Sequence, residues 1–195
     1  NISNSSIFLI LKSHLSKEKR YGLKYNMSSK QKKIVLELLR NLDFPTTQRP
    51  NVLRKGQTGY KGFVLGRVVS WAGKGEKAGY RKIQSARTKE PKYRELYKET
   101  RKLMKLKDPQ FKFSSIQFNK NHRSAKHSDA KNTGVSNIIG LGDYTGGELI
   151  VYDKEGKNPI KRNIKNRFYK FDGSLYPHET APFKGERYSL VFYST

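Results

Sequence analysis

The chain contains no cysteine. That excludes a disulfide framework, a thiolate zinc site and a cysteine nucleophile. It suits an intracellular, reducing compartment: nucleus, cytoplasm or a viral factory. Long apolar runs are missing too. The longest, Ile7-Phe8-Leu9-Ile10-Leu11, is far too short to span a bilayer. No charged segment precedes it, as one would in a signal peptide. No membrane partner is therefore expected. The chain opens on Asn1 rather than Met, so a longer parent chain is expected. Acidic residues are scarce: 16 Asp+Glu stand against 41 Lys+Arg, a formal charge of +25.

Aromatics are plentiful by contrast, with 12 Tyr and 10 Phe. A chain that rich in large apolar rings builds a core despite its charge. Its 195 residues suffice for one domain with an appended arm. The excess of positive charge says nothing about fold. It does point to a polyanionic partner, and nucleic acid is the commonest one. A solvated, solubilising surface is the plainer alternative. The charge is uneven. Residues 1–110 carry 27 Lys+Arg and 8 acids, whereas 111–195 carry 14 and 8. The first part resembles an electrostatic grip and the second an ordinary domain.

Residues 5–11 read as a short buried strand or core helix. Residues 28–41 read as a helix, with Ser28 and Gln31 placed for a capping box and Ile34, Val35, Leu38 and Leu39 on one face. Two prolines and two glycines in 43–61 mark a connection. Residues 62–70 are strand-like. The Gly- and Lys-rich stretch after Ala72 reads as a mobile basic loop. From Pro91 to Leu106 the pattern is helical, with Tyr93, Leu96, Tyr97, Leu103 and Met104 on one face and Lys and Arg opposite. Beyond residue 111 short strand candidates succeed one another: 112–119, 134–142, 147–153, 167–173 and 187–194. Turn signals separate them, which argues for a sandwich or barrel over a parallel sheet.

The stretch "HRSAKHSDAKNTG" at 122–134 holds His127-Ser128-Asp129. On a strand, residues i and i+2 face the same side, so both side chains can meet one ion. Alone, the pair is better explained by a surface turn. His178 changes the weighing. Antiparallel strands can bring it beside residue 127, giving two imidazoles and one carboxylate. That facial set leaves open positions and suits non-haem Fe(II) binding a cosubstrate and O₂. Nine residues later comes Arg187, with Ser189 on the same side of a strand. A guanidinium and a hydroxyl together clamp a carboxylate.

Taken together, "HSD" at 127–129, "GDYTGGEL" at 142–149, "PH" at 177–178 and "GERYSL" at 185–190 resemble the 2-oxoglutarate- and Fe(II)-dependent dioxygenases. The phrase "IQFNKNHRSAKHSDAKNTGVSNIIGLGDYTGGEL" is most similar to their TET/JBP-like branch, which oxidises the methyl group of 5-methylcytosine or thymine. The resemblance covers about residues 111–195. It implies a mainly β fold with flanking helices and a double-stranded β-helix (jelly-roll) core. A basic helical or extended support region is expected over 1–61 and the dioxygenase domain over 62–195, its metal-site half at 111–195. The resemblance implies metal ligands at His127, Asp129 and His178. It implies a cosubstrate anchor at Arg187, helped by Ser189, and a cosubstrate contact at Asn119. Fe(II), 2-oxoglutarate and O₂ are the cofactors it implies.

Asn121 is a lesser candidate near the site, and a polar turn explains both asparagines equally well. His122 reads as a loop residue outside the ligand set, and His14 as surface. Gly146-Gly147 permits a tight hairpin or a close backbone approach. Tyr144, Tyr169 and Tyr176 read as packing residues, as does Trp71, although Trp71 and Tyr80 are also placed to stack on a base. Arg123, Lys126 and Lys131, the basic loop and the Lys/Arg face of helix 91–106 are expected to hold phosphates. DNA is the favoured nucleic acid over RNA, with the base flipped out of its stack. Two other readings stand beside this one. A prolyl- or lysyl-type protein hydroxylase shares the triad, but prolyl hydroxylases usually carry lysine where Arg187 stands. A non-enzymatic nucleic-acid-binding protein would make "HSD" accidental.

Overall fold

The computed structural model describes residues 16–72 and 79–195. The expectations for residues 5–11, for His14 and for the part of the basic loop at 73–78 lie outside those residues. A long helix, α1 (Lys17–Arg40), leads through the two-residue strand β1 (Thr46–Thr47) and a 3-10 turn (Pro50–Val52) into β2 (Tyr60–Ala72). β3 (Gly79–Gln84) returns along β2, and helix α2 (Pro91–Lys107) follows. Nine strands complete the chain. They are β4 (Ser115–Lys120), β5 (Ser136–Leu141), β6 (Tyr144–Gly146), β7 (Leu149–Val151), β8 (Ile160–Arg162), β9 (Tyr169–Phe171), β10 (His178–Thr180), β11 (Phe183–Gly185) and β12 (Tyr188–Tyr193).

The major sheet runs β1-β2-β4-β12-β5-β9, with β3 added on β2. A smaller sheet, β10-β7-β8, and the ribbon β11-β6 stand apart from it. Every paired strand is antiparallel to its neighbour. The architecture is mainly β with two flanking helices, a jelly-roll core.

Period-two alternation assigns the two faces of the major sheet. Phe63, Leu65, Ile116, Phe118, Leu190 and Phe192 point to one side and form the main core with Val35 and Leu39 of α1 and Tyr93, Leu96, Leu103 and Met104 of α2. Their neighbours in sequence, Val64, Gln117, Asn119, Ser189 and Val191, point to the other side and line a cavity. The helices therefore form a layer behind the sheet, and the cavity opens in front of it.

Two local expectations are corrected. Helix α1 begins eleven residues before Ser28, so Ser28 lies inside it and caps nothing. Gln31 instead donates from Nε2 to the buried Glu99 carboxylate at 2.6 Å and to its carbonyl at 2.9 Å, tying α1 to α2. The basic stretch after Ala72 is not all loop, because Gly79–Gln84 pairs with Arg67–Ala72. Arg40 adds an exposed clamp, bonding Glu186 at 2.8 Å and Asp143 at 2.6 Å. Among the described residues no helix is long and apolar enough to cross a membrane.

A candidate metal centre in the cavity

His127 and His178 come together across 51 residues of chain through an antiparallel bridge. The His127 amide donates to the His178 carbonyl at 3.0 Å, and the His178 amide to the His127 carbonyl at 2.9 Å. His178 opens β10, whereas His127 stands on an isolated bridge. The expectation that His127 and Asp129 share a strand face is thus corrected: Asp129 lies in the following turn. Its amide donates to the Gly173 carbonyl at 2.8 Å, and its own carbonyl accepts from the Asn132 amide at 2.8 Å. Backbone contacts to β10 and to the turn after β9, not strand alternation, bring the carboxylate to the imidazoles.

Asp129 Oδ1 lies 3.6 Å from His127 Nε2, and Oδ2 lies 3.7 Å from His178 Nε2. One donor atom from each of the three residues falls within 4.8 Å of the others. Both nitrogen–oxygen gaps are under twice a metal–ligand bond of ~2.1 Å, so one ion reaches across both. The other ring nitrogens face backbone carbonyls: His127 Nδ1 to Ala125 O at 2.7 Å, and His178 Nδ1 to Tyr176 O at 3.0 Å. Those contacts place the proton on Nδ1 and leave the Nε2 lone pairs for a ligand bond. Burial, and then the neighbouring His178, push the His127 pKa down to about 4, which keeps its ring neutral as a metal ligand must be. Gly173 leaves room for the cluster, since a Cβ there would lie 3.2 Å from His178 Cε1 and 3.4 Å from Asp129 Oδ2. The donor set fits a divalent metal.

Arg49, from the segment before the 3-10 turn, was not singled out in the sequence. Its Nη2 donates to Asp129 Oδ1 at 2.6 Å. Nothing local marks it among the chain's many basic residues; only the fold brings it to the carboxylate. The cavity holds about 490 Å³ and is lined by the triad, Arg49, Tyr60, Asn119 and Ser189 among others. Asn119 Nδ2 donates to Ser189 Oγ at 3.1 Å, so these two candidates form one polar patch on adjacent strands.

Arg187 is 2% exposed but does not line the cavity. Its expected common direction with Ser189 is corrected: the guanidinium turns toward the β6–β7 connection. There Nη2 donates to Gly147 O at 3.1 Å, and the group lies over the rings of Tyr144 and Phe183 at 5.5 and 5.4 Å. Gly147 has a positive φ of 70°, and a Cβ there would stand 2.8 Å from Arg187 Nε. The close approach expected of the glycine pair is therefore made to Arg187. Arg187 Nε and Tyr144 Oη are buried without a hydrogen-bond partner. The two groups act on each other electrostatically. Asn121, at φ 49°, is the backbone partner of Arg187: its amide donates to the Arg187 carbonyl at 2.7 Å, and its Oδ1 accepts the Arg187 amide at 2.8 Å.

Other expectations change as well. His122 lies in the loop after β4 and outside the His-Asp-His group, as expected, but it is buried; it stacks on Tyr60 at 4.0 Å and lines the cavity. Trp71 is not packed away: it is 62% exposed beside Tyr80, itself 66% exposed, in an edge-on pair. Lys131, two residues after Asp129, lies over the Tyr80 ring at 4.4 Å. Lys126 is held on Tyr152 and bonded to Gly156 O. Tyr144, Tyr169 and Tyr176 stay out of the cavity lining. The Lys/Arg face of α2 lies behind the major sheet, so it does not touch what the cavity holds.

No family model matches the chain, and no curated protein is significantly similar to it. Solved structures are. An oxidoreductase of the 2OG-Fe(II) oxygenase family from Burkholderia pseudomallei superposes with a TM-score of 0.54 at 18% identity, over 83% of this chain and 76% of that one. A Trichoplax adhaerens prolyl hydroxylase, in complex with a hypoxia inducible factor peptide fragment, gives 0.47 at 16% identity, over 85% and 77%. NgTET1 in complex with 5mC DNA gives 0.47 at 14% identity, over 92% and 69%. The last two scores are too low to bear on substrate. The first shows that the fold is that of a 2OG-Fe(II) oxygenase.

Proposed function

We propose that this chain is a 2-oxoglutarate- and Fe(II)-dependent dioxygenase that hydroxylates a methyl group on a nucleic-acid base, 5-methylcytosine or thymine. The observation that carries the reading is the triad: His127, Asp129 and His178, with both Nδ1 atoms tied to carbonyls, on the wall of a cavity large enough for a small substrate. In this reading the three residues hold Fe(II), and Arg49 orients the Asp129 carboxylate. Asn119 and Ser189 would hold 2-oxoglutarate from the cavity wall, and Arg187, whose Nε is buried without a partner, would anchor its far carboxylate. When bound, iron and 2-oxoglutarate supply the oxidising power, with O₂ consumed and succinate and CO₂ released. The protein positions the target carbon and keeps bulk water away.

The charge of +25 supports a polyanionic substrate. So do the exposed Trp71–Tyr80 pair and Lys131 beside it, a basic and aromatic wall next to the triad loop. The test is turnover of the iron-loaded protein on methylated DNA, thymine-containing DNA, RNA and peptide. Oxidised bases detected by mass spectrometry are expected. Succinate release driven only by peptide would reassign the substrate to protein.

A further inference from the structure

His122 has an environment that a structural histidine rarely keeps. Its side chain is buried, at 6% exposure, and both Nδ1 and Nε2 lack a hydrogen-bond partner. A buried polar atom without a partner is costly, and native structures leave few of them. The ring is nonetheless fixed. It stacks on Tyr60 at 4.0 Å between centroids with 16° between planes. It also forms part of the cavity wall, together with Tyr60, His127 and Asp129.

Its position is fixed from both sides. The preceding residue, Asn121, is locked to Arg187 by the two hydrogen bonds described above. Five residues on, His127 begins the metal triad. His122 thus follows a residue held by the proposed anchor, and it shares the cavity wall with the proposed metal ligands. The surroundings are cationic: Arg49, Arg54 and Arg187 all act on the ring. Burial, helped by His127 and these arginines, holds its pKa down to about 4. A neutral imidazole keeps one N–H to donate, and the neighbouring charges favour an anionic acceptor.

We infer that His122, held on Tyr60, donates a hydrogen bond to the dicarboxylate cosubstrate and is a contact for 2-oxoglutarate. The inference rests on the dioxygenase reading and adds to it a residue outside the triad and the Arg187–Ser189 pair. A hydrogen bond to a charged group is worth ~1.5–3 kcal/mol, so its loss weakens binding about 10- to 100-fold.

The experiment is a calorimetric titration of 2-oxoglutarate into Mn(II)-loaded protein, which needs no turnover. His122→Phe keeps the stack on Tyr60 and removes the donor; His122→Gln keeps a donor. The expected result is at least tenfold weaker 2-oxoglutarate binding for His122→Phe, near wild-type binding for His122→Gln, and equal Mn(II) affinity in all three. Wild-type 2-oxoglutarate affinity in His122→Phe overturns the inference and leaves the dioxygenase reading intact. So does a loss confined to oligonucleotide binding, which would make His122 a substrate contact. Absence of metal-dependent 2-oxoglutarate binding in the wild type removes both together.

Discussion

Arg49 and Asp129 are joined by a 2.6 Å hydrogen bond across 80 residues of chain. The bond ties the segment before the 3-10 turn to the carboxylate of the His-Asp-His cluster. It fixes one carboxylate oxygen and so sets where the other points.

Replacing Arg49 is expected to weaken metal binding without unfolding the protein. Partners that orient a metal ligand typically contribute 10- to 100-fold in affinity or activity. Arg49→Met should lower Mn(II) affinity by about that factor, as read by calorimetry. Arg49→Lys, which keeps the charge but loses the planar fork, should fall between.

His127→Ala, Asp129→Ala and His178→Ala each remove one of the three proposed ligands. Each should abolish turnover and metal-dependent 2-oxoglutarate binding. Electronic spectra of the Co(II)-loaded protein check this directly, since the ligand field changes when an imidazole is lost.

Gly147→Ala places a methyl against Arg187 Nε and Cδ, at 2.8 and 2.9 Å before any shift, at a backbone φ of 70°. An alanine in the left-handed region costs ~1–2 kcal/mol. Arg187 must also move. Stability should fall by about 2 kcal/mol in urea unfolding, and 2-oxoglutarate affinity should fall more steeply than metal affinity.

His122 makes metal-free stability depend on pH. Its folded pKa is about 4, against ~6.5 for an unperturbed histidine. As pH falls below ~6.5 the unfolded chain takes up a proton that the folded protein refuses, so stability drops until pH ~4 and then levels. His127 shows the same shift. Each contributes at most about 3 kcal/mol. Urea unfolding in chelator at pH 7.5 and 5 should show the loss, and His122→Phe should remove about half of it.

Trp71→Ala and Tyr80→Ala should leave metal and 2-oxoglutarate binding unchanged and weaken oligonucleotide binding, since base–aromatic stacking contributes ~1–3 kcal/mol per base. Fluorescence anisotropy with a labelled single strand reads this. Unchanged anisotropy curves would remove the hairpin from the nucleic-acid surface.

The strands from 112 onward were readable because turn residues bracket alternating apolar runs: four of the five candidates contain a strand, and the first covers all of β4 but Lys120. The short β6, β8, β10 and β11 were not, because three residues carry no period. Ser28 misled for a related reason: a capping box has meaning only where a helix starts, and α1 starts earlier. His127, Asp129 and His178 could be grouped by residue type and order. The geometry joining them comes from backbone bridges to distant turns, which side-chain periodicity does not encode. Arg49 and the Tyr60–His122 stack were invisible for the same reason. A basic residue and an aromatic are common in this chain, and only long-range packing singles them out.

The major sheet has one further consequence. Lys92, Arg94, Lys98, Arg101, Lys102 and Lys105 are exposed on α2, behind the sheet, while Lys131 and the β2–β3 hairpin stand at the cavity. A helix and a sheet, each ~10 Å thick, separate the two positive surfaces. A ligand seated on one surface therefore does not touch the other. Ligand length becomes a variable in its own right. In the nucleic-acid reading a short oligomer would engage one surface at a time. A strand long enough to pass around the barrel would engage both and gain avidity with no new contact at the candidate metal centre.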